Sequence, residues 1–338
     1  MRRGDRAARP SAARRLVRAP FLARRRGPRL TVCVPAYRAG AFIARTVASV
    51  QAQEFGDWRL VIANDGGHDR AAFAPFAGDA RIEVRHEPER RGWVGNTNRL
   101  IRAVRTELFA VLPHDDVVAP EYYARMIALL DAAPGAICAH GAIRNVTDAK
   151  VGIARSEPVR GGLSERIAKV LTMSYAGFSY RAVNRTPRAR GRLTLPGNRH
   201  GGVYADSNWM MRQAVLGEML YCDAALYDKH YHGANEHMAW ERRPPAEIAA
   251  AWFTHCRQLA MFALAASETA EQRAEILRLA QARLFPQAPH PCPAYIQRAV
   301  AETWTDARRD AVRTALAAAA ERGARRLGRR RCWPWQRG

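Results

Sequence analysis

Residues 30–67, LTVCVPAYRAGAFIARTVASVQAQEFGDWRLVIANDGG, carry the pattern that decides the fold. Residues 30–35 are an apolar run of strand length, and residues 58–64 are a second one that ends at the turn signal of residues 65–67. Between the two runs, apolar side chains recur at helical spacing at Ile43, Val47 and Val50. A strand, an amphipathic helix and a second strand in this order predict a βαβ unit with parallel strands.

The same alternation continues downstream. Further stretches of strand length lie at residues 81–86, 107–113 and 136–143, and helical periodicity lies at residues 96–104 and after Pro120. Most of the strands are continuous apolar runs, which is typical of strands that are covered on both faces. The chain is therefore predicted to have an α/β fold with a mostly parallel sheet flanked by helices.

The domain organisation follows from a change of pattern beyond residue 151. The sequence becomes irregular there, and a helical pattern returns at residues 206–217 and dominates residues 246–320. We predict four segments: a basic, disordered arm at 1–28, an α/β domain at 29–240, a helical C-terminal region at 241–320 and a basic, disordered tail at 321–338.

The net charge of +23 lies mostly at the two ends of the chain. Residues 1–29 hold eleven arginines and one aspartate, and residues 321–338 hold seven arginines and one glutamate. Solvated arms account for this charge, because few apolar residues there offset the entropy lost on ordering. Contact with an anionic membrane surface is the alternative, with apolar anchors at Leu16, Val17, Phe21 and Leu22. No nucleic-acid-binding motif accompanies the charge, so we expect no specific nucleic acid partner.

The compartment is inferred from apolar runs and cysteines. No apolar run reaches the roughly 20 residues that span a bilayer, and the basic N terminus lacks the apolar segment of a signal peptide. The six cysteines show no CxxC spacing, which favours reduced thiols. We expect a cytoplasmic protein, with peripheral contact at the inner face of the membrane as the alternative.

Candidate binding residues follow or end three of the predicted strands. They are Pro35 and Tyr37 after the first strand, Asp65 after the second, and His114, Asp115 and Asp116 after the strand that ends at Pro113. Ligands of open α/β sheets bind outside the carboxyl ends of the strands, so we expect these side chains to share one crevice. Neither GxGxxG nor GxxxxGK[ST] occurs in the chain, so the acids are expected to reach phosphates through a divalent cation.

Five short motifs, in this order, make the chain resemble family 2 glycosyltransferases with the GT-A fold. They are VCVPAYRAG at 32–40, SVQAQ at 49–53, VIANDGGHD at 61–69, RRGWVGNTN at 90–98 and LPHDDVVAP at 112–120. Each motif is weak alone, but their order and spacing are specific, and the resemblance covers roughly residues 29–235. It implies an inverting enzyme that moves a sugar from a nucleotide diphosphate donor, commonly UDP-linked, to an acceptor hydroxyl.

The resemblance also implies which residues bind the nucleotide. These are Pro35, Tyr37, Asp65, Asn98 and Asp115. Asp65 matches the acid that hydrogen-bonds the base of the donor, and Tyr37 matches the ring near that base.

The metal site implied by the resemblance holds Mn²⁺ or Mg²⁺. Asp116 matches the metal ligand, with Asp115 beside it. Many family members show Asp-x-Asp-Asp, and Pro113 replaces the first of those acids, which leaves the ligand set open. His114 is either a further ligand or a turn residue that faces solvent.

The acceptor side depends on the segment GGVYADSNWMMRQAVLGEM, residues 201–219. In the family, a carboxylate opens a helix here and is followed by an aromatic residue and a Leu-Gly pair. Asp206 stands at that place, with Trp209 and Gly217 after it, so the resemblance implies that Asp206 is the general base. The other reading is that Asp206 only caps the helix, and the two readings are compatible.

Other candidates stay open at this stage. His230, His232 and His237 cluster in sequence, which suggests either a zinc site or an acceptor-binding surface built with the neighbouring aromatic residues. Arg181 and Arg185 either offset diphosphate charge or are solvated.

For the whole chain, the expected function is surface polysaccharide or glycoconjugate synthesis on a glycan, lipid-linked or other hydroxyl acceptor. The alternative is a catalytically inactive relative that binds a sugar nucleotide or a glycan as a partner protein.

Overall fold

The computed structural model describes residues 21–23, 26–173, 177–188, 193–233, 239–286 and 292–329. Within them, the strands are β1 (Leu30–Ala36), β2 (Trp58–Asp65), β3 (Ile82–Glu87), β4 (Leu108–Val111), β5 (Val117–Val118), β6 (Ala136–Val146), β7 (Val151–Ala154), β8 (Val183–Arg185) and β9 (Glu218–His230). The helices of the first part of the chain are α1 (Ile43–Gln51), α2 (Gly92–Ala103), α3 (Tyr122–Ala132), α4 (Leu163–Thr172) and α5 (Ala205–Leu216). The C-terminal helices are α6 (Pro245–Ala266), α7 (Ala270–Leu284), α8 (Ala294–Thr303) and α9 (Asp306–Arg329).

The strands form one sheet in the order β3-β2-β1-β4-β8-β6-β9-β5, with β7 beside β6. The strands β3, β2, β1 and β4 are parallel neighbours, and β6 and β9 form a second parallel pair. The antiparallel strand β8 joins these two parts, and the short strands β5 and β7 are also antiparallel to their neighbours. The predicted α/β fold with a mostly parallel sheet flanked by helices is confirmed.

Hydrophobic clusters lie on both faces of the sheet, which explains the continuous apolar runs. Along β1, Val32 and Val34 pack on one side with α1 and α3, whereas Cys33 packs on the other side with α2. These β1 side chains are fully buried. Successive side chains of a strand point to opposite faces, so a strand between two helical layers needs apolar residues at every position.

The C-terminal helices share the second cluster with α2, α4 and α5. Helix α6 lies at the centre of this region, where Trp252, Cys256 and Ala260 are fully buried. The sequence division near residue 240 stays a prediction. No helix in the described residues combines the length and apolarity needed to cross a bilayer.

The basic ends of the chain differ from the sequence expectation where they are described. Helix α9 continues to Arg329, so residues 321–329 of the tail that we expected to be disordered are helical. The reason is an apolar stripe at helical spacing, in which Leu316, Ala320 and Ala324 are buried. At the other end, Phe21 forms a β-bridge with Pro187, and the Leu22 amide donates to the Thr186 carbonyl. Residues 1–20 and 330–338, and with them the anchors Leu16 and Val17, lie outside the described residues.

Gly217 connects α5 to β9 at a close approach of two backbone segments. An added Cβ at Gly217 would lie 2.6 Å from the Gly135 carbonyl oxygen and 3.0 Å from the Ile137 amide nitrogen. We predict that Gly217→Ala lowers the free energy of unfolding by about 1–3 kcal/mol, because the backbone must shift to admit the methyl group. Urea denaturation followed by circular dichroism measures this change.

The matched control is Gly135→Ala, because an added Cβ at Gly135 meets no atom within 4 Å. The control should change the free energy of unfolding by less than about 0.5 kcal/mol. Equal losses for the two variants would show that the close approach at Gly217 does not limit the packing.

Candidate active site

The carboxyl ends of β2, β1 and β4 lie side by side. In the parallel register, Ala36 pairs with Asn64, and Cys33 pairs with Val111. Beyond β4, the His114 ring nitrogen Nδ1 lies 3.3 Å from the Pro35 carbonyl oxygen. The residues that follow these three strands therefore form one crevice at one edge of the sheet, as expected for an open α/β sheet.

Asp65, at the end of β2, holds the start of α2. Its two carboxylate oxygens accept hydrogen bonds from the backbone amides of Arg91, at 2.8 Å, and Gly92, at 2.9 Å. The first amides of a helix have no partner within the helix, and a carboxylate there is also favoured by the helix dipole. Asp65 thus fixes the N terminus of α2 at the crevice, and it is only 2% exposed.

Tyr37 lies beside Asp65 in a basic environment. The Arg90 guanidinium lies over the Tyr37 ring at 4.2 Å from its centroid, and Arg38 lies at 5.4 Å. The His68 ring meets the edge of the Tyr37 ring at 5.5 Å. The turn that brings His68 here contains Gly66, whose φ of +79° is readily adopted only by glycine. This part of the crevice combines a half-buried aromatic ring with cationic side chains.

Asp116 is a buried acid with three partners. Its Oδ2 accepts a hydrogen bond from the Tyr227 hydroxyl at 2.8 Å and faces Arg181 Nε at 3.4 Å, and its Oδ1 accepts from the His230 amide at 3.1 Å. Burial raises the pKa of Asp116, and Asp115 adds to this, while Arg181, Tyr227 and His230 oppose the rise. Asp116 therefore ties the end of β4 to β9.

Asp115 has a different environment from that of Asp116. Its Oδ2 lies 3.0 Å from His232 Nε2, and its backbone carbonyl accepts a hydrogen bond from Arg45. The His232 ring stacks on Phe42, with centroids 4.3 Å apart and planes inclined by 16°. Asp115 and His232 thus form a carboxylate–imidazole pair on the crevice side of β4, and Phe42 fixes the plane of the imidazole.

Asp206 is the second residue of α5 and is half-buried. Its Oδ1 accepts a hydrogen bond from the Ser207 amide at 2.8 Å. The N-cap of α5 is Tyr204, so Asp206 binds a free amide of the first turn from inside the helix and is not its cap. Gly177 touches the other carboxylate oxygen so closely that an added Cβ would overlap it. The carboxylate of Asp206 is therefore held between the first turn of α5 and the backbone at Gly177.

Arg181 connects the two acidic parts of the crevice. Burial would lower the pKa of the Arg181 guanidinium, but the charges of Asp116 and Asp206, together with Tyr227, raise it above its ordinary value. Its side chain is 12% exposed. Arg181 Nε faces Asp116, and Arg181 Nη1 donates to the Gly177 carbonyl at 3.4 Å, beside the Asp206 carboxylate, so the two acids lie in the same region of the molecule.

Two of the sequence candidates lie apart from this group. The Asn98 amide group exchanges two hydrogen bonds with the Leu195 backbone, at 2.9 and 2.7 Å, and so holds a loop in the core. Arg185 pairs with Glu107 and donates to the Ala136 and Leu130 carbonyls near the opposite edge of the sheet. Both side chains use their polar atoms for structure.

The histidine cluster is described only in part. His232 faces Asp115, whereas His230 contributes its backbone amide to Asp116, and burial lowers the pKa of the His230 ring. His237 lies outside the described residues. Among the described residues, no three His, Cys, Asp or Glu side chains form a group that could hold a metal ion by themselves.

Sequence reasoning missed the residues that link the acids across the sheet. Tyr227 and the pairing of His232 with Asp115 both depend on β9, which we did not predict from the sequence. The signal was present, because residues 218–230 are of strand length and rich in Tyr, Leu and Met. The histidines at its end were instead interpreted as a zinc site or an acceptor-binding surface.

The crevice offers three chemical functions to a ligand. The pair of Asp115 and His232 presents oxygen and nitrogen donors that suit a divalent cation. Arg45, Arg90 and Arg181 supply positive charge for an anion such as a diphosphate. Asp206 supplies a carboxylate that can accept a proton.

Comparison with known proteins supports the family resemblance that the sequence motifs indicated. The family model described as "Glycosyl transferase family 2" matches residues 31–220. The uncharacterised protein y4gI of Sinorhizobium fredii is 30% identical over 115 residues. That match covers 32% of this chain and only 13% of the relative, so the chain spans a small part of that protein.

Solved structures with the same fold include two complexes with nucleotide sugars. The structure of S. aureus TarS 1-349 in complex with UDP-GlcNAc is 14% identical with a TM-score of 0.56, and covers 89% of this chain and 90% of its own. The mannosyltransferase PcManGT from Pyrobaculum calidifontis, in complex with GDP-Man and Mn²⁺, is 16% identical with a TM-score of 0.53, covering 92% and 88%. These identities are low, so the likeness concerns the fold.

The family match spans more than half of the chain, and the crevice carries the acids and the aromatic residue that the family motifs predict. The chain therefore belongs to glycosyl transferase family 2 and has the GT-A fold.

Proposed function

We propose that this protein is an inverting glycosyltransferase that moves a sugar, of hexosyl type, from a UDP-linked donor to an acceptor hydroxyl. The observation that carries the proposal is the arrangement around Arg181. The pair of Asp115 and His232 adjoins Asp116, which faces Arg181, and Arg181 also donates to the carbonyl of Gly177, the residue that lies against the Asp206 carboxylate. Transfer from a donor diphosphate to an acceptor hydroxyl needs positive charge for the diphosphate and a base for the hydroxyl within one crevice.

The donor nucleotide is assigned to the ends of β1 and β2. The half-buried Tyr37 ring offers a stacking surface, and Pro35, at the end of β1, is assigned to the same nucleotide site. Asp65 acts here through its backbone partners, because both of its carboxylate oxygens already accept hydrogen bonds from the start of α2. Asn98, bonded to Leu195, contributes to nucleotide binding only by holding the loop behind α2.

The divalent cation of this proposal, Mn²⁺ or Mg²⁺, is assigned to Asp115, whose carboxylate oxygens suit either ion, whereas the imidazole of His232 favours Mn²⁺ over Mg²⁺. Two protein ligands are a sufficient set for such a cation when substrate phosphates supply others. The cation would offset the negative charge of the departing diphosphate. Asp116, which the motif made the first metal ligand, is assigned a supporting function, since all three of its partners are protein groups.

The chemical step is a single displacement. Asp206 accepts the proton of the acceptor hydroxyl while the oxygen attacks the anomeric carbon from the side opposite the diphosphate. The bond between that carbon and the phosphate oxygen breaks, its electrons stay with the nucleoside diphosphate, and the configuration inverts. Arg181 offsets the charge that Asp206 and Asp116 place in one buried region.

The acceptor and the cellular setting belong to the same proposal. We assign the enzyme to the synthesis of a surface polysaccharide or glycoconjugate, with a glycan or lipid-linked acceptor. Its site of action is the cytoplasm, with the arginine-rich ends in contact with anionic lipid at the inner face of the membrane.

The first test concerns the base. We predict that Asp206→Asn lowers turnover by roughly 10²- to 10⁴-fold, because an amide cannot accept the acceptor proton. Donor binding should be unchanged, because the donor contacts lie at β1, β2 and β4. Turnover is measured as slow donor hydrolysis or transfer with a panel of UDP- and GDP-sugars and Mn²⁺, and binding is measured by calorimetry.

The control is Asp223→Asn, an exposed acid on β9 that pairs with Arg155, and it should behave as the wild type. An Asp206→Asn variant that keeps most of its turnover would remove Asp206 as the base. If wild-type protein binds a donor but never turns it over, the catalytically inactive relative becomes the better description, and Pro113 would be its most evident cause.

The second test separates the two neighbouring acids. We predict that Asp115→Ala abolishes Mn²⁺-dependent donor binding and leaves the free energy of unfolding nearly unchanged. Asp116→Ala should instead cost about 3–5 kcal/mol of unfolding free energy, because it leaves Arg181 buried without its carboxylate. Calorimetric titration with donor and Mn²⁺, paired with chemical denaturation, measures both effects. A large stability loss for Asp115→Ala, with donor binding retained, would contradict this division.

A further inference from the structure

Four side chains from the C-terminal part of the chain enclose the ring of Tyr204. We call them the Tyr204 socket, and they are Trp240, Trp252, His255 and Tyr295. Ring centroids of Trp240, Trp252 and His255 lie 6.5, 5.8 and 5.3 Å from that of Tyr204, and the Tyr204 and Tyr295 hydroxyls share a hydrogen bond. Tyr204 is only 1% exposed. The sequence offered no function for these helices.

The backbone at Tyr204 is strained. Its φ is +64°, in the left-handed region that costs a residue with a Cβ about 1–2 kcal/mol. The nearby Gly201 and Gly202 also have positive φ, at +70° and +82°, where glycine carries no such cost. Strain of this kind persists only where the surrounding structure over-determines the conformation. The enclosed ring is the evident cause here.

The position of Tyr204 in the chain gives this strain a consequence. Tyr204 directly precedes α5, and Asp206 is the second residue of that helix. The ring of Tyr204 therefore sets where α5 begins and in which direction the Asp206 side chain leaves it. On the far side of this turn, Trp93 Nε1 donates to the Gly201 carbonyl at 3.2 Å, which joins the turn to the start of α2.

A second contact from the same helices holds the C-terminal end of α4. The buried Arg283 lies over the Trp252 ring at 5.5 Å, and its Nη1 donates to the Leu171 and Met173 carbonyls at 3.1 and 2.9 Å. These carbonyls close the C-terminal end of α4, where a cation is favoured by the helix dipole.

We propose that Tyr204 is a positioning residue for Asp206, and that the C-terminal helices serve the reaction by holding it through the Tyr204 socket. This inference rests on the proposed function, in which Asp206 is the general base. The Tyr204 ring is held by side chains of the C-terminal part of the chain, two residues before this carboxylate. A displacement of about 1 Å in a reacting group can lower a rate by about 100-fold. Holding the start of α5 in a fixed position therefore has a direct effect on turnover.

The test compares Tyr204→Leu with Phe285→Leu. Phe285 is a buried aromatic residue of the same helical region, and its ring packs on Trp304, 5.8 Å away, outside the socket. Hydrogen exchange followed by mass spectrometry reports on residues 203–210, including the Ser207 amide that binds Asp206. Donor hydrolysis is measured with UDP-GlcNAc or GDP-mannose and Mn²⁺, whichever the wild type hydrolyses faster, together with calorimetric donor binding.

We expect Tyr204→Leu to speed hydrogen exchange in residues 203–210 and to lower turnover by roughly 10- to 100-fold, with donor affinity unchanged. Phe285→Leu should lose stability but keep wild-type exchange in this segment and wild-type turnover. Should Tyr204→Leu fail to fold, Tyr295→Phe removes only one hydroxyl of the socket and should shift exchange and turnover in the same direction, by less.

Three outcomes separate the two proposals. Wild-type exchange and turnover in the Tyr204 and Tyr295 variants, alongside an inactive Asp206→Asn, would overturn the positioning function and leave Asp206 as the base. Full activity of Asp206→Asn would overturn the assignment of the base. Faster exchange with unchanged turnover would also overturn the positioning function of Tyr204, because Asp206 would then act as the base without a rigidly held start of α5.

Discussion

The burial of Asp116 is the constraint on which the rest of the crevice depends. This carboxylate comes directly after the central part of the sheet, yet it is almost inaccessible to water and accepts hydrogen bonds from Tyr227 and His230 on β9. A buried carboxylate is costly unless it is paired and hydrogen-bonded, so β9 and Arg181 must approach it. Their approach brings His232 to Asp115 and joins two parts of the sheet that are far apart in sequence.

The parallel part of the fold could be predicted from the sequence, because a strand covered on both faces leaves a continuous apolar run. The strands β1, β2, β4 and β6 and the helices between them follow this rule, and the predicted α/β architecture is confirmed. The strands β8 and β9 were missed, since β8 is short and β9 mixes apolar with charged residues. Their places in the sheet depend on pairing with distant partners, which no local pattern encodes.

The sequence predicted those site residues that directly follow a predicted strand. Tyr37, Asp65 and Asp115 follow predicted strands, and the parallel register brings them to one edge. The sequence could not show that Asp115 and Asp116 have different functions, because the two residues are adjacent and identical in type. Only their surroundings differ: one faces an imidazole, and the other is enclosed by a hydroxyl, an amide and a guanidinium. Asn98 shows the same limit, since a motif position does not tell which way an amide points.

The central claim is that one crevice holds the donor at β1, β2 and β4 while Asp206 faces the reacting sugar. A crystal structure with a nucleotide sugar and Mn²⁺, with the metal located by its anomalous scattering, tests this most directly. The account predicts an anomalous peak between Asp115, His232 and the diphosphate, the base beside Tyr37, and the anomeric carbon exposed towards Asp206. A nucleotide bound elsewhere, or a peak remote from Asp115 with Asp206 turned away from the sugar, would contradict it.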